Sequence, residues 1–195
     1  IPALKKGNLL SDGTKPPEGS TDWDVHIFTP SAHPLEALAT ELTRGVESIT
    51  ATTTLIDDLA SDPRSLHLHL LRKTSTPDSS PSSHHTLLLI DQFEELFTLC
   101  RDEFEREAFI DNLLTAIPAL PQGERPGVRG NVNLIITLRA DFYAHLAQYP
   151  DLRDAVAENQ EPVERSPHAE RTHACKLRPL DEAEPANAGG RRGRG

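Results

Sequence analysis

Asp91, Glu94 and Glu95 stand directly behind four apolar residues, Leu87-Leu88-Leu89-Ile90. An apolar run of this kind suits a strand buried on both faces of a parallel sheet. Such a strand delivers the next residue to the sheet's carboxyl edge, where α/β folds bind ligands. A single aspartate there can anchor a hard cation such as Mg2+, which prefers oxygen ligands and keeps several of its waters. Glu94 and Glu95 are close enough along the chain to orient or deprotonate an attacking water. The same residues also fit a plain core strand running into an acidic first helical turn, because carboxylates favour the positive end of a helix.

A second apolar run, Val132 to Leu138, leads into Arg139-Ala140-Asp141. If the two strands are parallel, Arg139 emerges at the same edge as Asp91. A planar, permanently charged guanidinium in that place can sense a terminal phosphate. A structural ion pair with Asp141, or with an acidic residue after Ile90, is the other use that the spacing allows.

Other reactive residues form weaker constellations. His67 and His69 fall on different sides of a helix, His84 and His85 lie in a Ser/Pro-rich stretch, and no nearby cysteine completes a zinc set. Cys100 follows an apolar helical stretch and reads as packed rather than reactive. A Gly-x-Ser-x-Gly nucleophile elbow does not occur. Arg191, Arg192 and Arg194, with no aromatic residue among them, read as a solvated tail rather than an RNA-binding patch.

The elements that position these residues can be read from periodicity and punctuation. Val25 to Phe28 reads as a strand stopped by Pro30. Pro34 opens a helix behind Ser31 or His33, and Leu35, Leu38, Leu42, Val46, Ile49, Ile56 and Leu59 form one expected buried stripe, on one or two helices. Asp62 caps a short helix over Pro63 to Arg72, and Lys73 to Thr86 is a polar Ser/Pro loop. Asp102 caps a helix reaching Ile117, with Phe104, Ala108, Phe109, Leu113 and Ile117 on its expected inner face. Short helices follow over Phe142 to Gln148 and Leu152 to Ala157. Strands alternating with helices predict an α/β fold.

Composition sets the outer limits. The 195 residues carry a formal charge of -10, of which residues 1–162 hold -12 and residues 163–195 hold +2. An acidic body repels phosphate backbones and disfavours nucleic acid as the main partner. Two cysteines make no disulfide framework, and no apolar run is long enough to span a bilayer, so a cytoplasmic location and no membrane partner are expected. Periodicity ends after Pro162. The sequence thus predicts a domain over 1–162, with an internal disordered loop over 73–86, and a low-order Arg/Gly/Pro-rich tail over 163–195.

Three strings together resemble one family: Leu87 to Thr98, the helix Glu105 to Leu114, and Ile135 to Tyr143 followed by Tyr149-Pro150-Asp151-Leu152-Arg153. They look like the novel STAND-type P-loop NTPase domain, as do Ile1-Pro2-Ala3-Leu4 and the segment Trp23 to Leu38. The likeness covers roughly residues 1–160. It implies part of an AAA-like/STAND fold, a three-layer parallel sheet with helices on both faces. It further implies that Asp91 is the Walker B acid that binds metal, that Glu94 and Glu95 lie near the hydrolytic water, and that Arg139 is a sensor. For an intact parent it implies ATP and Mg2+ as cofactors and a nucleotide-dependent signalling switch. Implied partners are adjoining domains, such as WD repeats or other signalling modules, and a nucleotide-dependent homo-oligomer.

The chain departs from that pattern at the phosphate loop. Gly-x-x-x-x-Gly-Lys-Ser/Thr, whose amides and lysine cradle phosphates, is absent, and no Gly-Lys pair occurs. From the family's motif order and the missing initiator methionine, that loop is expected upstream of Ile1. This chain alone is therefore expected to bind ATP poorly and to be inactive. The alternative is a noncatalytic interaction module or a decayed remnant, and Glu164 to Gly195 reads as a frame-shifted or decayed terminus. A metal-dependent hydrolase using the carboxylates directly has no supporting nucleophile. A parallel sheet without its first strand should also present an unpaired edge, which invites aggregation.

Overall fold

The computed structural model describes residues 2–10, 13–46, 48–74, 85–117, 132–163 and 172–177. In chain order these form α1 (Pro2–Lys6), β1 (Asp24–Phe28), α2 (Pro34–Leu42), α3 (Ile49–Ser61), α4 (Ser65–Thr74), β2 (Thr86–Ile90), α5 (Glu95–Thr98) and α6 (Glu103–Ala116). Then come β3 (Val132–Arg139), α7 (Tyr143–Leu146), α8 (Pro150–Asn159), β4 (Gln160–Val163) and β5 (Thr172–Leu177). Single 3-10 turns occupy Ser20–Asp22 and Ala140–Phe142. Among the described residues no helix is long and apolar enough to cross a membrane.

The sheet runs β1-β2-β3-β5-β4. β1, β2 and β3 pair in parallel, so that Phe28, Ile90 and Ile136 lie side by side. Helices flank this three-stranded parallel sheet, because parallel neighbours need crossover connections. β2 is buried at four of its five positions, as an unbroken apolar run requires. β3 alternates strictly. Val132, Leu134, Ile136 and Leu138 are buried, while Asn133, Ile135, Thr137 and Arg139 share the half-covered face.

Past Pro162 the chain differs from the sequence reading. β5 pairs antiparallel with β3, bringing Arg139 opposite Thr172 and Leu134 opposite Leu177, and β4 pairs with β5. The sequence reading expects an unpaired edge without saying which strand carries it; the side of β3 away from β2 is paired with β5. On the opposite side of the sheet, the Ile27 N–H of β1 donates to Glu41 Oε1 at 3.4 Å, so a side chain rather than a further strand takes it. Arg44 Nη2 lies 2.5 Å from Glu41 Oε2 and balances this buried carboxylate.

The expected apolar stripe divides at the end of α2. Leu35, Leu38 and Leu42 are buried, and the chain then turns through Gly45 at φ 90°, a left-handed conformation that favours glycine. α3 restarts the stripe with Leu55 and Leu59 buried. Val46 and Ile49, expected inside, are exposed because they lie in and just after that turn; Ile49 is 86% exposed. The Ser48 hydroxyl caps α3 by accepting the Ala51 N–H at 3.3 Å. At the start of α2, His33 holds the cap position without capping through its side chain. Glu105 of α6 does this from a distance, Oε1 accepting the Leu35 N–H at 3.3 Å.

α6 begins as predicted, with Asp102 Oδ1 accepting the N–H groups of Phe104 and Glu105. Its inner face is rotated from expectation. Phe109, Ile110, Leu113 and Ala116 are buried, whereas Phe104 is 84% exposed. Leu113, nine residues on from Phe104, lies about two and a half turns away and so on the opposite side. Asn112 is fully buried on this face. Its Oδ1 accepts the Leu66 N–H at 3.1 Å, and its Nδ2 donates to Leu59 O at 2.8 Å and Ala108 O at 2.9 Å, stitching α6 to the α3–α4 junction.

Lys73 and Thr74, read as loop, complete α4, and Thr86 opens β2; residues 75–84 of the expected Ser/Pro loop lie outside the described residues.

Candidate functional site

Asp91 leaves β2 at the carboxyl edge, held to both neighbouring strands. Its N–H donates to Phe28 O of β1 at 2.9 Å, and the Thr137 hydroxyl of β3 donates to its Oδ1 at 2.5 Å. The next residue, Gln92, has φ 53°, a left-handed value unusual for a residue other than glycine. Two oxygens hold it there. Its N–H is shared between Asp91 Oδ1 at 3.1 Å and Thr137 Oγ1 at 2.9 Å. The Phe93 N–H then donates to Thr137 O at 2.8 Å, and the Phe93 ring is fully buried against Phe97 and Phe109. A buried aromatic thus fixes the start of the acidic segment.

Glu94 stands at the cap position of α5 and Glu95 is its first residue. Glu94 Oε2 is buried and accepts no hydrogen bond. A buried carboxylate oxygen without a donor is costly. Glu95 is half-buried.

Arg139 shares the half-covered face of β3 with Thr137. Its Nε and Nη2 donate to Asp141 Oδ1 and Oδ2 at 3.2 and 3.1 Å, and the guanidinium lies 6.0 Å from the Phe142 ring centroid. The hydrogen bond from Arg139 holds the Asp141 carboxyl below its usual range. The structural ion pair that the sequence left open is therefore present. From Phe142 a run of rings continues through His145 to Phe97 of α5, with centroids 5.1 and 5.5 Å apart.

The structure therefore gathers Asp91 and Thr137 directly, and joins Arg139 to the acidic segment through rings. Sequence reasoning assigned Thr137 no role. The signal was one hydroxyl in an otherwise apolar stretch, Leu134 to Leu138. Arg106 was missed as well. Its Nε donates to Leu96 O at 3.2 Å and its Nη2 to Cys100 O at 2.5 Å, tying α5 to the residues just past its end. Cys100 is buried, and burial pushes its thiol up, away from the reactive thiolate.

A cleft of about 430 Å³ lies elsewhere, against α2 and the end of β1, lined by Phe28, Ser31, His33, Glu36 and Glu41. None of Asp91, Glu94, Glu95 and Arg139 lines it. Among the described residues no three His, Cys, Asp or Glu side chains converge to hold a metal. Asp91 thus stands as a single carboxylate, exposed at the strand end, with both of its donors on Oδ1. That donor set fits Mg2+ arriving on phosphates, which needs only one or two carboxylates, better than a closed zinc cage.

A family model described as novel STAND NTPase 1 matches residues 1–185, past the limit near 160 read from the sequence, so β4 and β5 fall within its span. No curated protein and no solved structure matches the chain.

Proposed function

The chain belongs to the novel STAND NTPase family, and from that premise we propose that residues 91–95 and 137–139 form the acidic half of an ATP-dependent switch site. What supports this reading is one adjacency: the Asp91 carboxylate and the Thr137 hydroxyl meet at the carboxyl edge of parallel β2 and β3. Ligands of open α/β sheets bind at that edge.

In this reading Asp91 anchors Mg2+, whose charge would neutralise the phosphates. Glu94, half-buried behind the strand end, orients the hydrolytic water toward the phosphate. Glu95, at the start of α5, is the second acid near that water. Arg139 senses the terminal phosphate by exchanging Asp141 for it, since a fork of N–H donors accepts paired oxygens from either group. The ring contacts from Phe142 through His145 to Phe97 then link that exchange to the segment holding Glu94.

The phosphate-cradling Gly-x-x-x-x-Gly-Lys-Ser/Thr does not occur in these 195 residues. By itself the chain is proposed to bind ATP weakly and to be inactive. With the cradle supplied, it acts in a cytoplasmic signalling protein whose further domains, such as WD repeats, read the switch, and nucleotide promotes self-association. A noncatalytic interaction module is the second reading, favoured by the same missing motif and by the engaged Arg139.

Titration calorimetry separates these readings. The 195-residue chain should take up Mg-ATP only at millimolar concentration or above. Joining a family phosphate-loop segment ahead of Ile1 should bring binding into the micromolar range. Micromolar binding without that segment contradicts the inactivity of the chain alone, and no gain on adding it favours the noncatalytic module.

A further inference from the structure

Thr137 turns both of its oxygens to the acidic segment. Its hydroxyl donates to Asp91 Oδ1 at 2.5 Å and accepts the Gln92 N–H at 2.9 Å, while its carbonyl accepts the Phe93 N–H at 2.8 Å. A threonine hydroxyl has one proton to give, and here it goes to the carboxylate. A free aspartate at an exposed strand end would turn among several rotamers. Asp91 is instead tied through one oxygen, on a backbone that the left-handed Gln92 forces away from the strand. We infer that Thr137 is a positioning residue for Asp91, fixing the carboxylate through Oδ1 and leaving Oδ2 as the oxygen that meets a divalent cation. This rests on the reading of Asp91 as the cation's anchor. Hydrogen-bond partners behind a ligating carboxylate set its orientation and affinity, and their loss costs about 10- to 100-fold in metal affinity.

The hydroxyl can be removed with little else. Thr137→Val keeps the β-branch that suits β3 and the carbonyl that holds Phe93, and it deletes only Oγ1 as a hydrogen-bonding atom. Thr137→Ser keeps the hydroxyl and deletes the methyl.

Mn2+ is the probe, read in the 195-residue chain as paramagnetic loss of the Asp91 and Gln92 amide signals. In the wild type these two signals should fade first as Mn2+ is added, and Asp91→Asn should abolish the selective loss. Thr137→Val should need about 10- to 100-fold more Mn2+ for the same loss, and Thr137→Ser should return toward the wild-type concentration. A role confined to structure would instead lower the unfolding midpoint of Thr137→Val and leave the Mn2+ concentration unmoved. An unmoved concentration, alongside loss in Asp91→Asn, overturns the positioning role and leaves Asp91 as the anchor. Absence of selective loss in the wild type overturns the positioning role, since no cation then meets Oδ2 in this chain, while the anchor is tested separately by hydrolysis with a phosphate-loop segment joined.

Discussion

The guanidinium of Arg106, on α6, sits 2.5 Å through Nη2 from the carbonyl oxygen of Cys100, just past α5. Its Nε reaches Leu96 O at 3.2 Å and its Nη1 lies 3.5 Å from the Tyr149 hydroxyl. One side chain thereby fastens the turn behind Glu94 and Glu95 to α6 and to the start of α8. Two carbonyls at the end of a four-residue helix would otherwise have no helical donor.

Arg106→Met should lower unfolding stability by about 1–3 kcal/mol, the usual cost of leaving part-buried polar groups unpaired. Arg106→Lys should recover little, since a lysine has no planar fork to reach two carbonyls at once. Urea midpoints measure both, and a lysine variant equal to the wild type would show that charge alone suffices.

Asn112 offers a sharper case, because it is fully buried and bonds to Leu66, Leu59 and Ala108. Asn112→Leu replaces it at similar size and strands the Leu66 N–H and the Leu59 carbonyl. A loss above about 2 kcal/mol is expected at an unchanged denaturant slope. A neutral result would mean that water or a backbone shift satisfies both groups.

Stability at low pH should carry the mark of Asp62. Its carboxyl lies at about 2 rather than 3.8, chiefly because Arg64 hydrogen-bonds to it through its side chain and also through its backbone N–H. The folded value is depressed, so the contribution is complete above about pH 4 and fades as pH falls toward 2. Asp62 is solvated, so the effect on total stability is small and the titration itself is the better readout. In carboxyl-carbon NMR, Arg64→Gln should move the midpoint part of the way back up, since the backbone N–H remains. A midpoint near 3.8 in the wild type would contradict the pairing.

The Arg139–Asp141 fork makes a prediction about switching. With a phosphate-loop segment joined ahead of Ile1, Asp141→Asn should raise Mg-ATP affinity severalfold, because a competitor for the guanidinium is removed, and Arg139→Gln should lower it. Equal affinities in all three proteins, by titration calorimetry, would leave Arg139 as a structural ion pair only.

How much of this was legible in the sequence depended on distance along the chain. β2 announces itself as an unbroken apolar run and β3 as a mostly apolar one, and once they are parallel, Asp91 and Arg139 must reach one edge. The Asp102 cap is equally local. Ile49 and Phe104 misled because a single apolar residue beside a helix start has no periodic neighbours to fix its face. β5 is six residues of mixed polarity, Thr172 to Leu177, with no alternation long enough to mark a strand; its existence depends on the open side of β3. Thr137 and Arg106 were hidden for a related reason. Their roles are contacts with residues 46 positions back and up to ten positions back or 43 ahead, and no local pattern distinguishes them from a strand threonine or a solvated helix arginine.

The central claim is that Asp91 anchors the metal of a nucleotide site. The most direct measurement is Mg-dependent ATP hydrolysis by the chain joined to a family phosphate-loop segment, comparing the wild type with Asp91→Asn. The account predicts turnover in the wild type, and in Asp91→Asn a fall by at least about 100-fold while the protein stays folded. Turnover that is unchanged in Asp91→Asn would remove Asp91 from the site and contradict the account.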